Sequence, residues 1–188
     1  CYLLPLADSI PAGIAALIEP WTCVIASYMI ENRKAPLKGG SILIACEAGD
    51  NTAYVPGKLL ADSKPKRISG LNLNRKTIDA IRRQIPSARI DILKSIPEKG
   101  AFDDIFICEV RREDAEKIAK LANRNAVISF IGDYPDEPWS FDIGGIHYNA
   151  WYYQGTKSNS LSDAYGRNVR SKLKKGGTCW LVGGAGAM

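Results

Sequence analysis

This sequence predicts a doubly wound α/β fold, a parallel sheet with helices on both faces, on three observations. Short, unbroken apolar runs recur, as in Ser41-Ile-Leu-Ile-Ala-Cys46, Asp104-Ile-Phe-Ile-Cys108 and Ala126-Val-Ile-Ser-Phe-Ile131. Continuous rather than alternating hydrophobicity marks strands buried on both faces, as in parallel sheets. Between the runs lie segments with apolar residues three and four apart, such as Ile78, Ile81 and Ile85, or Ala115, Ile118, Ala119 and Ala122. The two kinds of segment alternate, which implies right-handed crossovers within one sheet. Five or six strands in this rhythm suggest the Rossmann arrangement, whose ligands bind beyond the carboxyl ends of the strands at the topological switch point.

The elements follow in order. Residues 11–33 carry helical spacing (Ile14, Leu17, Ile18, Val24, Ile25, Tyr28), and Pro20 predicts the start of a second helix, since proline suits a first turn. A turn over Pro36–Gly40 leads into the strand Ser41–Cys46. Residues 52–62 read as a helix weakened by Pro56 and Gly57. Arg67–Leu73 is a strand and Arg75–Gln84 a helix, with Asn74 as its N-cap. Strands are expected at Arg89–Leu93 and Asp104–Cys108, a helix at Arg112–Ala122, and a fifth strand at Ala126–Ile131 ended by Gly132. His147–Gln154 is read as the sixth strand, Ser160–Leu173 as a helix and Thr178–Val182 as a last strand.

At 188 residues the chain suits one domain with a sizeable core, and its 46% hydrophobic and 24% charged composition is ordinary for a globular protein. The net charge of +5 is mildly basic, but Lys64–Arg67, Arg111-Arg112 and Lys172–Lys175 are dispersed and carry no aromatic-rich motif, which argues against nucleic acid as a partner. No apolar run reaches membrane-spanning length. Cys1, Cys23, Cys46, Cys108 and Cys179 form no C-x-x-C pair, so a zinc ribbon is not expected, and four of the five sit in apolar runs that suit free, buried thiols of a reducing, cytoplasmic compartment. The start at Cys1 and the close at Gly183-Gly-Ala-Gly-Ala-Met188 suggest a segment of a longer protein.

Leu17-Ile-Glu-Pro20, a helix, and then Lys38-Gly-Gly-Ser-Ile-Leu-Ile44 resemble the entry into the cofactor domain of medium-chain, zinc-type alcohol and polyol dehydrogenases. Phe102–Val110, Ala126–Gly132 and Ile146-His-Tyr148 through Gly155-Thr156 match the same layout, with a flavour of the sorbose-phosphate-reductase-like branch. The resemblance covers residues 15–170, mostly by element order. It implies a domain that binds NAD or NADP within an oxidoreductase, with the zinc ligands mainly in a catalytic domain outside this chain; the piece alone would be inactive. It also implies that Glu19 lies near the metal, although a capping carboxylate beside a proline would look the same.

A dinucleotide needs glycines after the first strand for a tight turn, for close backbone approach to the pyrophosphate and for helix–strand packing. By the resemblance, Cys46, Ala48 and Asn51 occupy those three positions in Ala45-Cys-Glu-Ala-Gly-Asp-Asn-Thr52, and Gly49 stands one step out of register. Glu47 and Asp50 add negative charge where the pyrophosphate would lie. Two readings stay open: an altered loop that still binds cofactor, or a degenerate site on a structural or dimerisation platform. A loop with Glu47 or Asp50 filling the phosphate position favours the second. Asn72 stands where the family has an acidic ribose ligand, and Arg75 beside it favours NADP. The cofactor-binding set expected is therefore Cys46, Ala48, Gly49, Asn51, Thr52, Asn72, Arg75, Cys108 and Gly132, with Glu109 as a further polar contact at the fourth strand. His147 reads as structural, and Tyr148–Gln154 as an edge for a homodimer. Residues 1–176 form the expected nucleotide-binding domain, and 177–188 look like a strand entering a second glycine fingerprint.

Overall fold

The computed structural model describes residues 5–29, 32–135 and 137–166. The expected helix to Leu173 beyond residue 166, the strand Thr178–Val182 and the second fingerprint lie outside them. Two compact units result. The smaller holds helices α1 (Ala12–Ala15) and α2 (Ile18–Met29), with Pro20 inside the first turn of α2, where its missing N–H costs nothing. The larger begins at Asn32 and holds every other described element.

Its strands are β1 (Ser41–Cys46), β2 (Arg67–Leu71), β3 (Arg89–Leu93), β4 (Phe102–Cys108), β5 (Ala122–Ile131) and β6 (Tyr152–Thr156). They form one sheet in the order β3-β2-β1-β4-β5-β6 with every neighbouring pair parallel. This is the Rossmann order, whose direction of progress reverses between β1 and β4. Helices α3 (Lys58–Asp62), α4 (Arg75–Gln84), α5 (Arg112–Ala119) and α6 (Ile143–Tyr148) and a 3₁₀ turn, Leu161–Ala164, complete the unit.

Because side chains alternate across a strand, β1 feeds two cores. Ile42, Ile44 and Cys46 pack with Leu60 of α3, Ile81 of α4, and Leu161 and Tyr165. Leu43 and Ala45 pack on the other face with Ala115 and Ile118 of α5 and with Trp151. Helices therefore cover both faces, as the apolar runs predict. Asn74 caps α4 as expected, its Oδ1 accepting the Thr77 N–H at 2.9 Å.

Three elements differ from expectation, the first being the helix expected from Ser160, which within the described residues is a 3₁₀ turn, Leu161–Ala164, followed by extended Tyr165. Residues 52–57 are not helical: α3 is five residues long and starts only at Lys58, after Gly57 at φ 74°. The preceding stretch is held by Val55, whose N–H donates to the Asn159 carbonyl at 3.0 Å and whose carbonyl accepts from Leu161 N–H at 2.9 Å. The sixth strand also shifts. His147 and Tyr148 lie in α6, which Asp142 caps through the Gly145 N–H at 2.9 Å, and pairing begins only at Tyr152. Gly145 permits this packing, since a Cβ there would lie 2.2 Å from the Trp151 ring. The aromatic run that suggested a strand from His147 is thus split between a helix and an edge.

Candidate functional site

The crevice at the switch point is built from the ends of β1 and β4. Cys46 and Cys108 are register partners there, both buried. Burial first, then Cys46 and the charges of Asp50 and Glu109, push the Cys108 thiol well up, so it is not a ready nucleophile. The next residue on β4, Glu109, has φ 52°, and Asn72 after β2 has φ 54°. Both strands therefore end in a left-handed turn at the crevice. Gly132, with φ 121°, makes room for Glu109: a Cβ on it would meet Glu109 Cγ at 2.3 Å. Gly132 thus accommodates a neighbouring carboxylate.

The loop after β1 departs further from a phosphate cradle. Glu47 N–H donates to the Cys108 carbonyl at 3.3 Å, and Asp50 N–H to the Glu47 carbonyl at 3.2 Å. Gly49, at φ 82° with open space around its Cα, serves this turn and approaches nothing. Glu47 reaches across the switch point: its Oε2 accepts the Arg111 N–H at 3.0 Å, and its Oε1 lies 3.4 Å from Arg111 Nε. Arg111 stands immediately before α5, so a carboxylate already occupies the end of that helix. Asp50 Oδ1 accepts the Thr52 N–H at 2.8 Å, and the Thr52 carbonyl accepts from Asn74 Nδ2 at 2.7 Å. Burial works to raise the Asp50 carboxyl, but the donors of Thr52 and Tyr54 together hold it below the usual range. Burial, then the adjoining Asp50, pushes the Tyr54 hydroxyl up.

Eleven residues, 47–57, separate β1 from α3. The N-terminus of α3 is also filled: Leu60 N–H donates to Ser162 Oγ at 3.1 Å and Gly57 N–H to Gln84 Oε1 at 2.9 Å. The Gly57 and Leu60 N–H groups at the start of α3 are therefore already engaged by side chains and not turned to an anion.

A cavity of about 140 Å³ opens beside this loop, lined by Cys46, Glu47, Ala48, Asn72, Lys94 and Arg111 among others. It lies at the carboxyl ends of β1, β2 and β3, as the fold predicts for a ligand. Of the expected residues it gathers Cys46, Ala48 and Asn72. Asn51 and Thr52 are exposed on the loop, and Cys108 lies beneath it in the core. Asn72 turns its amide inward, Nδ2 donating to the Cys46 carbonyl at 3.1 Å. Arg75 is 94% exposed and 3.9 Å from Asp79, outside the cavity. Lys94, Ser95 and the Glu47–Arg111 pairing were not legible, because each joins residues tens of positions apart.

A cavity this small takes a base-sized or ribose-sized group and not a whole dinucleotide. The residues after β1 do not fit a diphosphate as they stand, because Glu47 holds the Arg111 donors. Zinc fits no better. Glu19, in the first turn of α2, is exposed and accepts the Cys23 thiol at 3.0 Å. Among the described residues no three potential ligands gather.

No protein-family model matches the chain, and no curated protein matches it. Among solved structures it is similar to a short chain alcohol dehydrogenase from E. coli complexed with NADH, at 14% identity over 81% of this chain and 46% of that one, with a TM-score of 0.45. It is also similar to an acetophenone reductase from Geotrichum candidum in complex with NAD, at 13% identity over 81% and 43%, TM-score 0.41. S. aureus TarJ matches at 16% identity over 86% and 51%, TM-score 0.42. The chain spans about half the length of these proteins. Its own strand order and crossovers define a Rossmann-type domain. No helix among the described residues is long and apolar enough to cross a membrane.

Proposed function

We propose that this is a nucleotide-binding domain of the dehydrogenase kind whose crevice takes the adenosine end of NAD or NADP and holds the diphosphate only weakly. The observation that carries the reading is the cavity at the carboxyl ends of β1, β2 and β3, with Asn72 and Arg111 on its wall. Adenosine would enter beside Asn72 and Lys94. The diphosphate would need the Arg111 N–H, which Glu47 now holds, and the guanidinium, which Glu47 shares with Asp114 at 3.5 Å. Competition between a carboxylate and a phosphate for one exposed cation is settled by about 1 kcal/mol at either side, so the pairing weakens binding and does not abolish it. Exposed Arg75 could reach a 2′-phosphate outside the cavity and favour NADP. The zinc-type alcohol or polyol dehydrogenase as the parent enzyme rests on the sequence resemblance.

Calorimetric titration with NADP, NADPH, NAD, NADH and AMP tests this. AMP and the dinucleotides should bind with similar, weak affinity. Glu47→Ala should tighten the dinucleotides about tenfold and leave adenosine, titrated alongside them, unchanged, because only a phosphate competes for Arg111. Equal affinities in the two proteins would remove Glu47 from the phosphate position.

The second reading is a platform without cofactor, favoured by the carboxylate that already fills the end of α5. Absence of heat with every nucleotide, for both proteins, would select it. In either reading β6 is an edge strand of the sheet among the described residues, at Tyr152–Thr156 and not Tyr148–Gln154. Strand pairing across that edge would make a homodimer, and monomeric sedimentation at micromolar concentration would count against it.

A further inference from the structure

A second cavity, of about 300 Å³, lies away from the strand ends, between α5 and the segment that leads from β5 to β6. Phe130, Trp139, Phe141 and Tyr153 form its aromatic wall. Phe130 meets Trp139 at 5.4 Å and 87°, and Phe141 at 6.3 Å and 83°. Phe141 meets Tyr153 at 5.0 Å and 75°. Rings crossed near right angles offer π faces in more than one direction, and those faces carry the negative part of the ring quadrupole.

Two carboxylates join the rings on the same wall, Glu116 from α5 and Asp142 ahead of α6. Each is anchored through one oxygen: Glu116 Oε1 accepts the Ser140 N–H at 2.9 Å, and Asp142 Oδ1 accepts the Gly145 N–H at 2.9 Å. Anchoring fixes the charge at the cavity without neutralising it. The field of Asp142 reaches inside, since burial and then that charge push the Tyr153 hydroxyl up to about 12. Lys120 is the one cation among the lining residues, against two carboxylates.

An anion would meet both carboxylates and the negative ring faces. A purely apolar ligand would leave the anchored charges unused. A cation with an apolar surface satisfies both features, because a soft, weakly hydrated ammonium gains from ring faces and from carboxylates together. The volume is that of a small-molecule site. We propose that this cavity binds an organic cation carrying a quaternary or alkylated ammonium group, held by Trp139, Phe141 and Tyr153 and paired with Glu116 and Asp142.

The test is calorimetric titration of the whole chain, at constant ionic strength, with choline and with 3,3-dimethylbutan-1-ol, its neutral isostere. Choline should bind saturably and about tenfold more tightly than the alcohol. Both acids have conservative replacements that keep the anchoring acceptor oxygen, so a folded Glu116→Gln/Asp142→Asn variant is available. It should lose about tenfold in choline affinity and keep its affinity for the alcohol. Equal binding of cation and isostere would show an apolar hollow and overturn the proposal. So would no saturation by choline up to tens of millimolar, or a variant that binds choline as well as the original.

Discussion

Asp104→Ala should destabilise the protein by about 3–5 kcal/mol, the range for breaking a buried ion pair from one side. Asp104 is fully buried at the start of β4. Arg33 Nη1 donates to its two oxygens at 3.0 and 3.1 Å, Leu37 N–H donates at 2.8 Å, and the Tyr165 hydroxyl donates as well. Truncation removes the shared acceptor of three donors: the Tyr165 phenol is left buried without it, while the Leu37 N–H and the part-exposed Arg33 guanidinium, which keeps the Asp103 carbonyl, lose it nearer the surface. Arg33 also donates through Nη2 to the Asp103 carbonyl at 2.7 Å, so together with Leu37 it ties the chain entering β1 to β4. Urea unfolding followed by circular dichroism reads the effect, and at ordinary urea sensitivity the midpoint should fall by about 2 M. Asp104→Asn keeps the shape and should cost less than half as much. A loss below about 1 kcal/mol for the alanine variant would mean that Arg33 and Tyr165 find other acceptors.

Gly57→Ala should cost about 3 kcal/mol, the upper part of the range for a strained backbone. Its φ of 74° and ψ of 172° fall where essentially only glycine is comfortable. A Cβ would also lie 2.6 Å from Ser162 Cβ. Ser162 cannot move freely, because its Oγ accepts from Leu60 N–H and donates to the Pro56 carbonyl at 2.7 Å. The strain and the clash are separable. Ser162→Gly removes the larger part of the clash, leaving the Ser160 Oγ at 2.9 Å and the φ penalty, so the double variant should be less unstable than the sum of the two singles. Strict additivity in thermal unfolding would dissociate Gly57 from Ser162. The same Ser162 hydroxyl also holds the Leu60 N–H of the first turn of α3.

Legibility followed the range of the interactions. The apolar runs at Ser41–Cys46 and Asp104–Cys108 were readable because a strand buried on both faces must be apolar at every position. The Asn74 cap was readable because its partner lies three residues on. The helix at Ile143–Tyr148 was not, since it is one turn and a half with two glycines, and its stability comes from Asp142 and the packing of Gly145 on Trp151. The altered glycine positions were visible at Cys46, Ala48 and Asn51, but what replaces the cradle was not. Glu47 and Arg111 stand 64 residues apart, and only the parallel register of β1 and β4 brings them together.

By itself the sequence determined the alternation of strands and helices, and with it the doubly wound sheet. Local hydrophobic periodicity encodes each element, and the handedness of crossovers leaves few ways to join them. The tertiary structure alone decided the electrostatics of the crevice, the closed end of α3 and the aromatic cavity with its two carboxylates. Those depend on side chains from separate crossovers meeting at a few ångströms, and no periodicity records which residues will face each other there.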